Sequence, residues 1–146
     1  MLLSKSFGYA VRGILYIALS GDETKRIQVA EIADDLGVPR HFLAKILKVM
    51  AREGVLDSTK GPYGGFSMNK KTRSTKLVKL VEYVEGMEQF NECVLSFRRC
   101  NRANPCPLHD QMLAVRDQLI RELSTTTIGD LMDERNPNFI RSISTL

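Results

Sequence analysis

Apolar residues recur at spacings of three and four through most of the chain, a pattern typical of amphipathic helices. The first run predicts a helix over residues 5–19, with Ser4 as its N-cap. Two further runs, separated by a short turn, predict helices over residues 29–37 and 40–53. On the third helix we expect five apolar residues to share the buried face: Phe42, Leu43, Ile46, Leu47 and Met50.

A β-hairpin is predicted directly after the third helix. Residues 55–56 and 66–68 are short runs with apolar positions, and they flank a Lys-Gly-Pro-Tyr-Gly-Gly tip of the kind that forms turns. Two amphipathic helices joined by a short turn form a helix-turn-helix, and a basic hairpin behind them forms a wing. Any small α+β domain can hold such a hairpin, but this order of elements favours a winged helix.

The carboxy-terminal half predicts one more helix over residues 75–86, a loop over 90–106 and a long helix over 107–123. The long helix carries an apolar stripe that this small chain has little surface to cover. We therefore predict a homodimer, with an ordinary core helix as the alternative. The stripe consists of Leu108, Met112, Val115, Leu119 and Leu123.

The fold class that follows is mainly α-helical with a small β-hairpin wing. We expect a winged helix-turn-helix DNA-binding domain over residues 1–86 and a cysteine-rich metal or cluster loop over 87–106. A dimerisation helix and a short helical piece over 107–131 and a polar tail over 132–146 complete the chain. No run approaches the roughly 20 apolar residues of a membrane span, and no signal peptide is evident, so a cytoplasmic protein is expected.

Charge is distributed unevenly along the chain. Residues 1–80 hold 14 lysines and arginines against 7 acidic residues, whereas residues 81–146 hold 7 against 10. An excess of positive charge on the predicted winged helix favours a polyanionic partner such as DNA. Many soluble proteins have uneven charge, so this observation alone leaves both interpretations open.

The chain's three cysteines and one of its two histidines lie within the segment CVLSFRRCNRANPCPLH. An odd number of cysteines in a reducing compartment argues against structural disulfides. Thiolates are soft ligands that suit iron–sulfur clusters or zinc. The gaps of six and five residues are unusual for zinc, which prefers closely spaced cysteine pairs, but spacing alone leaves cluster, zinc and no metal open. The four candidate ligands are Cys93, Cys100, Cys106 and His109.

Several local motifs resemble the Rrf2 family of bacterial winged-helix regulators, in particular its IscR-like and NsrR-like members. The resemblance extends from residue 1 to about residue 131. The most specific part is the joining of a PxxFLxKIL block to a GxxGG wing. The matching segments are residues 9–12, 32–33, 38–47, 54–58, 60–66 and 85–86, followed by the cysteine triplet.

This resemblance implies a homodimer that binds palindromic double-stranded DNA and carries one iron–sulfur cluster per subunit on the three cysteines. Six residues separate Cys93 from Cys100, where cluster-binding members usually have five. Some members supply an aspartate from the first helix, but Gly8 stands at that position here. His109 is then implied as the fourth ligand, which favours a [2Fe–2S] over a [4Fe–4S] cluster by analogy.

Candidate DNA contacts follow from the helix-turn-helix geometry. Residues that open the recognition helix reach base edges, and flanking cations contact phosphates. We expect Arg40 and His41 to read bases, with Lys60 at the wing entering a minor groove. Each could instead be an ordinary solvated side chain. Candidate phosphate or sugar contacts are Lys5, Lys45, Lys48 and Tyr63.

The sequence therefore predicts a transcriptional regulator, with repression favoured over activation. It would sense iron–sulfur status, redox state or nitric oxide through a cysteine-ligated cluster. A metal-free thiol switch on the same DNA-binding domain is the alternative, and a small iron–sulfur or zinc redox protein is a weaker one. Enzyme activity is not expected, because the chain has no glycine-rich nucleotide loop and only two histidines.

Overall fold

The computed structural model describes residues 3–20, 23–133 and 137–143, and it confirms a mainly helical fold with a two-stranded antiparallel hairpin. Within these residues, no helix is both long enough and apolar enough to cross a membrane. The elements in chain order are α1 (Lys5–Ser20), α2 (Val29–Leu36), α3 (Arg40–Arg52), β1 (Leu56–Thr59), β2 (Gly65–Met68), α4 (Leu77–Glu85), a 3₁₀ helix (Glu88–Asn91), α5 (His109–Thr125), α6 (Ile128–Met132) and α7 (Pro137–Ser142).

The helix-turn-helix consists of α2 and α3. Gly37 ends α2 in the left-handed region, at φ 66°, and its N–H donates to the carbonyls of Ala33 and Asp34. A glycine reaches this conformation without the steric cost that a Cβ would bring. Val38 then buries its side chain, and α3 starts two residues later at Arg40.

The wing is a regular hairpin from Leu56↔Met68 to Thr59↔Gly65. Ile27 exchanges two 2.8 Å backbone hydrogen bonds with Phe66, which ties the wing to the chain before α2. At Gly64 a Cβ would lie 2.0 Å from the carbonyl oxygen of Thr59, so only glycine fits there. The turn at the tip is therefore tight, while the contact with the body of the domain is made by Ile27 and Phe66.

The main core lies between α1, α2, α3, the wing and α6. Its central side chains include Ile14, Ile32, Leu47 and Ile128, each under 2% exposed. The prediction that Phe42 lies on the buried face of α3 is wrong, because its side chain is 50% exposed. It lies one turn before Ile46, at the rim of a groove between α1, α3 and α4, where the first turn of α3 has no neighbour to cover it.

Two carboxy-terminal expectations are also corrected. The long helix begins at His109, so Pro107 precedes it instead of opening it. The expected polar tail is wrong for residues 137–143: Pro137–Ser142 form α7, and Ile143, which follows it, is 6% exposed and buried in the main core. Arg12 holds this segment in place: its Nε donates to the Ile143 carbonyl at 3.2 Å and its Nη2 to the Leu36 carbonyl at 2.8 Å.

Candidate metal centre and nucleic-acid interface

The structure brings the three cysteines together. Their sulfur atoms all lie within 4.8 Å of one another, although the residues span fourteen positions of the chain. The Sγ atoms of Cys93 and Cys106 are 3.6 Å apart. All three side chains are half-buried and none forms a disulfide. Three converging thiols are a set of donors suited to a soft metal.

The loop between the cysteines is shaped by its own backbone and side-chain hydrogen bonds. Ser96 adopts a left-handed conformation, φ 62°, and its N–H donates to the Cys93 carbonyl at 2.8 Å. The Asn101 side chain accepts from the backbone N–H groups of Ala103 and Asn104 at 2.8 and 3.0 Å. These two tight turns reverse the chain, so that Cys100 and Cys106 return to the same place as Cys93.

His109 lies beside the sulfurs at the start of α5. Its ring nitrogen Nδ1 is 3.2 Å from Cys100 Sγ, and its backbone N–H donates to the Cys106 carbonyl at 3.0 Å. The other ring nitrogen, Nε2, is buried without a hydrogen-bond partner. His109 is not in the set of atoms that all lie within 4.8 Å of one another. The imidazole is therefore closely paired with one cysteine rather than equally shared by three.

The thiols differ in their acidity. Hydrogen bonding from the Phe97 backbone, supported by Leu95, lowers the pKa of Cys93. The pKa of Cys106 is raised, chiefly because partial burial disfavours the thiolate. Metal ligation requires the deprotonated form, which these surroundings favour at Cys93 and disfavour at Cys106.

A small cavity of about 50 Å³ adjoins the sulfurs. Phe90, Met112 and Leu113 form part of its apolar wall, and Arg116 closes one side while donating to the Phe90 carbonyl at 3.3 Å. Arg116 supplies positive charge to the cavity lining, whereas the arginines of the loop are exposed and lie outside it. They are Arg98, Arg99 and Arg102.

The candidate DNA-contacting residues of α3 share one exposed face. His41, Lys45 and Lys48 follow each other at spacings of four and three, and all are exposed. The His41 ring lies 4.5 Å from that of Phe42, centroid to centroid. Lys5 is exposed at the first position of α1. The recognition helix therefore presents a basic surface to solvent.

Arg40 is engaged by an acidic residue that sequence reasoning missed. Its Nε donates to Asp34 Oδ1 at 3.0 Å and its Nη2 to Asp34 Oδ2 at 2.7 Å. The hydrogen bonds to Asp34 raise the pKa of the guanidinium further. Asp34 lies in the last turn of α2, six residues before Arg40, and the turn between the helices brings the two together. Nothing in the sequence distinguished it from Asp35, which accepts a hydrogen bond from the Tyr16 hydroxyl.

The wing tip presents the remaining two candidates. Lys60 is exposed immediately after β1, and Tyr63 is 90% exposed at the turn. The tip is anchored by Gln28, whose Nε2 donates to the Pro62 carbonyl at 2.9 Å. A cation and an aromatic ring therefore project from a restrained loop.

The stripe on α5 divides into two parts. Leu119 and Leu123 pack within their own subunit against Val81 and Phe90, and Leu123 is only 6% exposed. The expectation that Leu123 forms the dimer interface is therefore wrong, because α4 and the 3₁₀ helix supply the packing surface that the sequence did not reveal. Met112 lines the cavity. The two exposed members of the stripe are Leu108, 41% exposed, and Val115, 52% exposed.

Further exposed apolar side chains lie in the cysteine loop and were not singled out from the sequence. Val94, Leu95 and Phe97 are each more than two-fifths exposed. Their presence between charged residues in a loop without periodicity was the available signal. Together with Leu108 and Val115 they form the uncovered apolar groups of the cysteine-bearing half.

Comparison with known proteins identifies the class. The profile described as "Rrf2: Iron-dependent Transcriptional regulator" matches residues 3–134. A protein of Aquifex aeolicus (strain VF5), assigned to the HTH-type transcriptional regulators, is 32% identical over 135 residues, which cover 91% of this chain and 92% of that protein. The chain belongs to the Rrf2 family and is a winged-helix, DNA-binding transcriptional regulator; the family and this relative are regulators, not enzymes.

Solved structures share the fold at low sequence identity. Oxidised CymR of Staphylococcus aureus is 16% identical, with a TM-score of 0.73 and coverage of 93% of this chain and 99% of that one. CymR of B. subtilis, the global cysteine regulator, is 18% identical, with a TM-score of 0.69 and coverage of 89% and 95%. IscR of T. potens is 18% identical, with a TM-score of 0.64 and coverage of 89% and 85%.

Proposed function

We propose that this regulator controls transcription through an iron–sulfur cluster held by Cys93, Cys100, Cys106 and His109. The observation that carries the proposal is the convergence of three sulfurs and an imidazole on one small, partly apolar site. The rest of the described chain supplies a basic winged helix. A cofactor site attached to a DNA-binding domain is the arrangement of a sensor.

We favour a [2Fe–2S] cluster over zinc because the matched family is described as iron-dependent and because the chain resembles its cluster-binding members. The donor distances do not separate the two groups. Four ligands around one tetrahedral zinc, with Zn–S bonds of about 2.3 Å, place the sulfurs roughly 3.8 Å apart. Here Cys93 Sγ and Cys106 Sγ are 3.6 Å apart, Cys100 Sγ and His109 Nδ1 are 3.2 Å apart, and all three sulfurs lie within 4.8 Å of one another.

The unpartnered Nε2 of His109 also supports a ligand role for this residue. A buried imidazole nitrogen without a hydrogen bond is costly unless something else occupies it. Nδ1 lies 3.2 Å from Cys100 Sγ, whereas Nε2 is the ring nitrogen that lacks a hydrogen-bond partner. Either nitrogen could bind metal after a ring rotation, and the described residues offer Nε2 no other partner.

The route from this site to DNA runs through packed side chains. When bound, the cluster supplies a redox-active centre whose oxidation or loss constitutes the signal. Cys93 follows the 3₁₀ helix, and Phe90 in that helix is buried against Val81 of α4 and against α1 through Phe7. A change in where Cys93 is held would shift Phe90, and with it the helices that support α3.

We further propose that the protein acts in the cytoplasm as a homodimer on palindromic operators, with repression favoured over activation. Val115 on α5 and Leu108, the residue directly before α5, are the exposed stripe positions that a partner subunit could cover. A two-fold dimer places two recognition helices on successive half-sites. The basic surface of α3 and the wing supports contact with the phosphate backbone.

The decisive experiment is anaerobic purification followed by iron, sulfide and zinc analysis and visible absorption spectroscopy. We expect two irons and two sulfides per chain, complete loss of both in C93A, C100A or C106A, and a labile cluster in H109A. R102A, which changes an exposed residue of the same loop, is the matched control and should retain the cluster. Stoichiometric zinc that iron and sulfide cannot replace would contradict the proposal.

A metal-free thiol switch is a second candidate that one observation favours. Cys93 and Cys106 have sulfurs 3.6 Å apart, and a small approach would bring them to the bond length of about 2.05 Å. CymR of Staphylococcus aureus, a protein of the same fold, exists in an oxidised form. In metal-free protein, diamide should then form a Cys93–Cys106 disulfide and change operator affinity, and C100A should respond like the wild type. If operator affinity changes when the metal is removed but does not respond to diamide in the metal-free protein, this candidate is excluded.

A further inference from the structure

The strongest unexplained contact on the DNA-facing side is the one between Asp34 and Arg40. The carboxylate engages the guanidinium through both oxygens, at 3.0 Å and 2.7 Å. Both side chains remain largely exposed, at 63% for Arg40 and 59% for Asp34. We propose that Asp34 is a positioning residue that fixes Arg40 for bidentate recognition of a guanine, which makes this pair a determinant of operator sequence. This inference rests on the proposed function only in that the helix-turn-helix reads DNA.

The chemistry follows from counting the donors of the guanidinium. Arginine has five N–H groups in a rigid plane. Asp34 takes the edge formed by Nε and Nη2, which uses two of them. The remaining edge carries hydrogens on Nη1 and Nη2 that point in the same direction. That edge matches the O6 and N7 acceptors of guanine in the major groove, the commonest specific contact of arginine.

The position of the pair agrees with this role. Arg40 is the first residue of α3, and the opening residues of a recognition helix contact base edges. An exposed carboxylate repels phosphates, so its presence on a DNA-binding surface calls for a compensating role such as holding Arg40. Asp34 lies in the last turn of α2, so a rigid helix and not a flexible loop holds it. A tethered guanidinium loses less rotamer entropy when it meets the base than a free one does.

The neighbouring acid shows that proximity alone does not explain the contact. Asp35, the next residue, turns away and accepts from the Tyr16 hydroxyl, which links α2 to α1. Asp34 is therefore free to face the turn and Arg40. Its side chain has no other hydrogen-bond partner among those described, so its contribution to the fold beyond this contact is small.

The test is selection of bound duplexes from a pool with a randomised core, using the full-length protein purified anaerobically. The variants are D34A, D34N, R40A and R40K. Affinities are then measured on the best selected duplex, on the same duplex with each guanine replaced, and on a shuffled duplex. D133A is the control, because both carboxylate oxygens of Asp133 also accept from an arginine, Arg73 Nη2 at 2.7 and 2.9 Å, and its removal changes the charge equally.

We expect the wild type to select a guanine at symmetric half-site positions. R40A, R40K and D34A should all lose that preference, with about a 10- to 100-fold loss on the selected duplex. D34N, which can accept only one of the two hydrogen bonds, should fall between D34A and the wild type. Because the residues act as a pair, D34A should have little further effect in the R40A background. D133A should select the wild-type sequence.

Other outcomes would overturn the inference in distinguishable ways. If D34A raises affinity equally on selected and shuffled duplexes and the selected sequence is unchanged, Asp34 only repels DNA. If R40A loses a guanine that D34A keeps, Arg40 reads the base without positioning. If the wild type selects no sequence at all, the specific DNA-binding function itself fails, and this inference with it.

Discussion

The chain up to Phe90 and the segment over residues 91–122 differ in how far their side chains are buried. Up to Phe90, α1, α2, α3, the wing and α4 bury a continuous core with central residues such as Ile14, Leu43 and Leu80 at 0% exposure. From residue 91 to residue 122, all of which the structure describes, no side chain is buried. The first region is stabilised by a core that Ile128 and Ile143 complete from the carboxy-terminal end. The second depends on local hydrogen bonds, on the partial packing of Leu119 and Ile120 against Val81 and Phe90, and on whatever covers or binds it.

The uncovered side chains show what the second region lacks. Phe97 and Val115 are large apolar residues more than half exposed, and the three thiols are unpaired. Exposed apolar groups clustered on one part of a small protein mark an interaction surface. A partner subunit and a cluster would supply the burial and the bonds that the single chain does not. The comparison therefore predicts that mutations in the first region mainly lower folding stability, whereas mutations in the second mainly weaken binding.

The largest difference is expected in stability. L47A removes a fully buried side chain between α1 and α3, and we expect it to lower the free energy of unfolding by about 2–5 kcal/mol. L95A makes the same change at a side chain that is 42% exposed in the cysteine loop, and it should cost less than about 0.5 kcal/mol in dilute monomer. Urea denaturation followed by circular dichroism measures both. Similar losses in the two variants would show that the loop is packed after all.

The next effect concerns the subunit interface. V115E places a charge on the exposed part of the α5 stripe, and we expect it to weaken dimerisation by about 100-fold or more, with operator binding reduced in parallel. A114E is the matched control, since it adds the same charge at the adjacent exposed position, about a quarter turn away on the helix. Sedimentation velocity across a concentration series measures the change. A dimeric V115E protein would place the interface elsewhere.

How far the sequence predicted the structure also differs between the regions. The helix-turn-helix and wing follow from local signals, because periodicity, Gly37 and the glycine-rich tip each act within a few residues. The failures required knowledge of distant neighbours. Leu123 was assigned to a partner because its packing against Val81 is not visible in the stripe itself. The sequence predicts a polar tail because nothing in the tail itself shows that Phe139 and Ile143 reach back to the core.

The site was predicted unevenly for the same reason. Cysteines are rare, so three in one short segment were conspicuous, and the fold brings their sulfurs together. The contact between Asp34 and Arg40 was not predictable, since acidic residues are common and only the turn geometry selects this one. Metal binding by the cysteines and His109 stays a prediction, and so does DNA contact by the individual residues of α3 and the wing.

A smaller effect is expected on the basic face of α3. K48A should weaken binding to operator and to random duplex alike, by a few-fold, and lower the salt slope by about one unit, because we expect Lys48 to contact a phosphate. K79A is the control: Lys79 lies on α4 and pairs with Glu82 at 2.9 Å. Fluorescence anisotropy over a range of salt concentrations gives both slopes. An unchanged slope in K48A would remove Lys48 from the DNA contacts.

The smallest effect tests the contact that ties α1 to α2 in the packed region. The hydrogen bond to Asp35 raises the pKa of Tyr16 from 10.0 to about 12, since the carboxylate disfavours a phenolate beside it. A raised folded-state pKa adds stability that is fully present below pH 10 and is lost as the pH rises toward 12. Y16F should therefore cost about 1 kcal/mol at neutral pH, limited by solvent exposure, and progressively less in alkali. Ultraviolet titration should lose one component near pH 12 in Y16F. If Tyr16 instead ionises at its ordinary pKa, this contact adds nothing to the rigidity that sets the DNA-binding half apart from the cysteine loop.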